Sequence, residues 1–126
     1  AGVKTFVVQH PTEEDKYLVH ACLEGPEVGV YYRGKAELSE EGHVEVMLPS
    51  YASRIASDFS VHVTPLFKND GFYVSDVVDG KFTIHGSQGS FFLVVYGKRQ
   101  SINVSPNKSD VDLRGDGPYT YLKEHQ

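Results

Sequence analysis

Apolar and polar residues alternate along most of this chain, in short runs broken by Gly, Pro, Asn and Asp. A period of two puts successive side chains on opposite faces, so each run predicts a β-strand with one covered face. Phe6-Val7-Val8 opens the first run, which His10-Pro11-Thr12 ends because Pro has no N–H for a ladder. After the polar turn Glu13–Lys16, a strand over Tyr17–Glu24 sets Tyr17, Val19, Ala21 and Leu23 against Leu18, His20, Cys22 and Glu24. Gly25-Pro26-Glu27 punctuates it. Val28–Leu38 is longer, and Gly34 inside it predicts a bulge or close packing. Ser39–Gly42 reads as a hairpin loop before His43–Leu48, with Val44, Val46 and Leu48 on one face.

Pro49–Asp58 predicts one short helical turn, with Ser50 as N-cap and Ala52, Ile55 and Ala56 inward. Alternation resumes in Phe59–Leu66, where Phe59, Val61 and Val63 share a face. Lys68-Asn69-Asp70-Gly71 is a turn signal. Phe72–Val78 and Phe82–His85 form a tight hairpin about Asp79-Gly80, a pair suited to positive φ. Phe91–Val95 is continuously apolar and predicts a central strand buried on both faces. Ile102 with Val104, and Val111 with Leu113, predict short strands, and Tyr119–Leu122 a docked end. About eight short strands and one helical turn make an all-β chain, an antiparallel β-sandwich or small barrel.

The 126 residues suit one domain, spanning 1–126. The chain begins Ala1-Gly2-Val3-Lys4 without Met, so it is expected to be a fragment or cleaved piece of a longer one. Lys and Arg number 12 against 17 Asp and Glu, a net charge of −5. With no basic block, general binding of nucleic acid is not expected. No apolar run approaches the roughly 18–20 residues that cross a bilayer, so membrane insertion is not expected. The single Cys22 allows no internal disulfide and, inside a strand, reads as a small core residue.

Chemistry is sparse. His20, His43, His62 and His85 all fall in predicted strands, but neither CxxC nor HxxxH spacing occurs, so no metal and no cofactor is expected. No GxSxG elbow is present, and Gly86–Ser90 has no following helix to cradle a phosphate. Glu24 and Glu27 flank a Gly-Pro turn. With His20 they are the candidates for a metal-dependent or glycan-processing enzyme, the alternative to a non-catalytic chain. Arg114-Gly115-Asp116 spells an integrin-recognition tripeptide that a tight turn also explains, and Asn103-Val104-Ser105 and Asn107-Lys108-Ser109 are glycosylation sequons. Phe residues follow the predicted buried faces. Tyr31-Tyr32-Arg33 sends one tyrosine outward beside Arg33, a pairing suited to a sugar or a protein surface, and these three are the candidate binding residues.

Lys4-Thr5-Phe6-Val7-Val8-Gln9-His10-Pro11-Thr12 and then Tyr17-Leu18-Val19-His20-Ala21-Cys22-Leu23-Glu24-Gly25-Pro26-Glu27 resemble a module in the C-terminal regions of viral and phage fibre-like structural proteins. Those read K-T-F-V-I-x-H-P followed by Y-L-x-H-x-C-x-E-x-P. Many carry aspartate where this chain has Gln9. The likeness continues through Val30–Gly34, Leu48–Tyr51, Val63-Thr64-Pro65 and Val94–Arg99 to Gly115–Tyr119. It implies a β-rich appendage of a larger, commonly trimeric fibre at a virion or extracellular surface. Self-association, as in a homotrimer, and attachment to a host glycan or protein are then expected.

Overall fold

The computed structural model describes residues 5–69, 71–101, 104–116 and 120–125, apart from the side chains of 100 and 101. Ten strands are present among them: β1 (Thr5–Gln9), β2 (Tyr17–Ala21), β3 (Glu27–Leu38), β4 (His43–Met47), β5 (Ser57–Pro65), β6 (Phe72–Val74), β7 (Lys81–Gly86), β8 (Gly89–Ser101), β9 (Val111–Arg114) and β10 (Tyr121–Glu124). One helical turn, α1 (Ala52–Ile55), precedes β5, and a 3-10 turn at Lys108–Asp110 precedes β9. All pairings are antiparallel. The sheets are β3-β8-β5 and β4-β7-β6, with separate hairpins β1-β2 and β9-β10.

The two three-stranded sheets face each other as a sandwich, and the described strands close no barrel. Phe91, Leu93 and Val95 of β8 meet Phe82 and Ile84 of β7, with Leu38, Leu48 and Ala52 completing the core. Such side chains each contribute roughly 1.5–3 kcal/mol on leaving water. The alternation of β5 holds, with Phe59, Val61 and Val63 packed on this core and Ser60, His62 and Thr64 exposed. The Asp79-Gly80 turn also holds. Both residues have positive φ, 53° and 74°, and Val78 bridges Lys81 across them.

Several local expectations are corrected. Ser39–Gly42 is not a hairpin loop: it carries the chain from the β3 sheet to the β4 sheet. The register breaks fall at Val28/Gly29, where Arg99 of β8 is the extra residue, and between Ser57 and Ser60 of β5, not at Gly34. Asp58, with φ 52°, supplies the left-handed residue of the second bulge. β8 is central, but only one of its faces is covered, because Phe92 is 48% and Tyr96 44% exposed while Phe91 and Val95 are fully buried. Phe92 and the 96%-exposed Phe67 thus break the rule that phenylalanines mark the core.

The helical turn is capped at Tyr51 rather than Ser50, without a side-chain bond, and buries only Ala52 fully. β6 stops at Val74 instead of Val78. Val104 lies in a bend, not a strand. Leu122 and Tyr121 pair with β9 but stay exposed, so the end is docked by the backbone ladder and by His125, whose Nε2 lies 3.0 Å from Asp112 Oδ1, not by burial of these side chains. Asp70, Ile102, Asn103 and Tyr119, named in expectations above, lie outside the described residues.

Candidate functional site

β2 ends at Ala21, three residues earlier than the alternation predicts, and Cys22–Pro26 becomes an exposed connection to β3. Cys22 is therefore exposed rather than core. Among the described residues β2 pairs only with β1 and β3 only with β8, so each has an edge without a described partner strand. Between them opens a cleft of about 950 Å³ that continues inward past Val46, Leu48 and Leu93, between the two sheets.

An aromatic cluster forms one wall. Phe6 and His20 are cross-strand partners on β1 and β2, so they share a face. The His20 ring lies 5.9 Å from that of Phe6, 5.6 Å from Tyr51 and 6.2 Å from Tyr32. The Tyr51 hydroxyl stands 3.3 Å from His20 Nε2. Arg99, displaced by the bulge, sets its guanidinium 3.7 Å from the centre of the Phe6 ring. Burial, then the Arg99 charge, holds the His20 imidazole below its ordinary range. A folded-state value below the unfolded one means that the unfolded chain takes the proton first as pH falls. The protein should therefore lose stability as pH drops below about 6.5, the unfolded histidine value. His20→Gln should flatten that part of the dependence of melting temperature on pH.

Two features of this cleft cost the fold stability. Tyr32, facing inward, has a buried hydroxyl that finds no hydrogen-bond partner among the described residues. Burial and the neighbouring Tyr51 push its ionisation up to about 12. A buried polar group left unpaired costs about 1–3 kcal/mol. Two residues on, Gly34 has open space where a Cβ would stand and no positive φ. A strand glycine gives up about 0.5–1 kcal/mol relative to alanine, and nothing in the backbone here requires one.

The candidate residues divide between surfaces. Tyr31, 48% exposed, and Arg33 face outward together, whereas Tyr32 turns inward against the core, so the three are not one outward patch. His20, Glu24 and Glu27 all line the cleft, but Glu24 lies beyond the end of β2 and does not extend the His20 face as a strand would. Among the described residues no three His, Cys, Asp or Glu side chains are placed to hold a metal ion. No helix there is long and apolar enough to cross a membrane. Arg114-Gly115-Asp116 is exposed where β9 ends. Alternation alone did not reveal Tyr51, Arg99 or Gly34 as parts of one site, since a loop, a bulge and an edge strand bring them together.

No family matches this chain, and no curated protein or solved structure matches it either.

Proposed function

We propose that the chain is a non-catalytic attachment module of a fibre-like surface protein, and that the cleft between β2 and β3 holds its host ligand. The observation that carries this reading is the coincidence, in one cleft, of a strand glycine with open space beside it and a buried tyrosine hydroxyl without a partner among the described residues. A fold selected for stability alone fills such a space and pairs or deletes such a hydroxyl. The hollow at Gly34 takes an apolar or ring-bearing group, and the aromatic wall beside it suits the face of a sugar or of an aromatic side chain. The likeness of the first third to fibre-like modules agrees with this role.

The test is a glycan array and a displayed peptide library, probed in parallel with the native chain and with Gly34→Leu. Ligands captured by the native chain and lost from the variant support the reading. Retention at full strength on Gly34→Leu, or no ligand on either surface, overturns it.

A further inference from the structure

On the outer face of the β4-β7-β6 sheet, register draws one row across all three strands: His43, His85 and Tyr73. Their neighbours Val44, Ile84 and Val74 point into the sandwich, so the row faces away from the core. The Gly86 N–H donates to the Gly42 carbonyl, and the Leu48 N–H to that of Gly80. Ladder bonds between β4 and β7 therefore fall at even-numbered residues. His43 and His85 meet at a position without them, where cross-strand side chains come closest and Cα atoms stand about 4.5 Å apart. Their ring centres are 6.3 Å apart. The Tyr73 ring lies 4.8 Å from that of His85 at an interplanar angle of 13°, a stack that holds one imidazole in place. His10, His20, His62 and His125 each engage a ring nitrogen with a neighbour, Thr12, Tyr51, Ser60 and Asp112 in turn. Among the described residues no hydrogen bond or ion pair engages His43 or His85.

We infer that His43 and His85 form a two-imidazole site for copper(II). Neutral imidazole is a favoured donor for this ion, and among first-row divalent ions copper binds a given set of such donors most tightly. With metal–nitrogen bonds of about 2.0 Å, two rings on one ion have centres no more than roughly 6.4 Å apart. The observed spacing falls inside that limit, and His43 is exposed, so its ring can turn to close the angle at the ion. Two imidazoles with water in the remaining tetragonal positions suit copper(II). Zinc asks for three or four protein ligands, and no such trio is placed among the described residues. The nearest carboxylate on this face, Glu45 one row away, stands 3.8 Å from the Lys81 ammonium, so fixed charge around the pair is close to balanced. A bound ion would tie β4, an outer strand of its sheet, to β7 and so stabilise the fold. Motif spacing is silent on such a pair, because register rather than nearness in sequence brings it together.

The test titrates the chain with CuCl2, ZnCl2 and MgCl2, following binding by calorimetry and the melting temperature in parallel. Cys22 is alkylated first, so that its exposed thiol neither binds nor reduces the ion. One high-affinity copper ion per chain is expected, with a raised melting temperature, weaker binding of zinc and none of magnesium. His43→Gln and His85→Gln should each weaken copper binding about a hundredfold, because a single ring loses the gain of an intramolecular second donor. Electron paramagnetic resonance should show one coupled nitrogen fewer in each. His62→Gln, at an exposed histidine of the other sheet, should change neither affinity nor spectrum. No copper bound, undiminished binding by both of the paired-histidine variants, an equal loss in His62→Gln, or tighter binding of zinc than of copper overturns the inference.

Discussion

Phe91→Ala should destabilise the protein by about 3–5 kcal/mol, the usual cost of removing a buried aromatic ring. Phe91 is fully buried on the central strand β8, and its ring lies 5.2 Å from that of Phe72 on the opposite sheet. It thus spans the layer between the sheets. The β3 and β5 edges both pair with β8 and cannot move inward to fill the void independently. A loss of this size consumes much of the 5–15 kcal/mol that holds a typical domain folded. Phe92→Ala, one residue on, should cost far less because that ring faces water. Denaturant unfolding of the two variants checks the contrast, and equal losses would mean that β8 is covered on both faces.

Gly86→Ala should be nearly as damaging, at about 2–5 kcal/mol from strained backbone and overpacking together. Gly86 ends β7 with φ 152°, a conformation that L side chains rarely adopt. An added Cβ would collide with the Gly71 carbonyl oxygen and stand 2.8 Å from the Phe72 Cα. Both are backbone atoms, so no side-chain rotation relieves the clash. The Gly86 N–H also donates to the Gly42 carbonyl, tying the sheet-crossing loop to the end of β7. Gly34→Ala is the control, since its Cβ meets open space. A thermal melt in which both alanine variants behave alike would contradict this placement.

Local pattern made much of this fold legible. Alternation in Phe59–Thr64 and His43–Leu48 reports directly on which side chains face the core, because each strand of a sandwich has one wet face. The Asp79-Gly80 turn was legible for a similar reason: its conformation depends on two adjacent residues. What stayed hidden depends on partners distant in sequence. Ser39–Gly42 has hairpin composition, yet β3 finds β8 and β4 finds β7. The apolar run Phe91–Val95 mimics a strand buried on both sides, while half of it lies on an exposed face. Gly34 reads as a bulge or close packing, but the register shifts fall at Arg99 and Asp58, and a Cβ at Gly34 would meet open space. Of the candidate site, alternation put one of Tyr31 and Tyr32 outward beside Arg33, and His20 on a strand. The cluster around His20 needed Tyr51 and Arg99, separated from it along the chain by the sandwich itself.

The most direct measurement is the melting temperature of the Gly34→Val, Tyr32→Phe double variant without ligand. If the cleft is kept open at the expense of the fold, filling the hollow and deleting the orphaned hydroxyl should raise it by several degrees, about 1–2 kcal/mol at this size. A lower melting temperature than the native chain would show that the glycine and the hydroxyl serve the packing of the fold, and would contradict the cleft as a site built for a ligand.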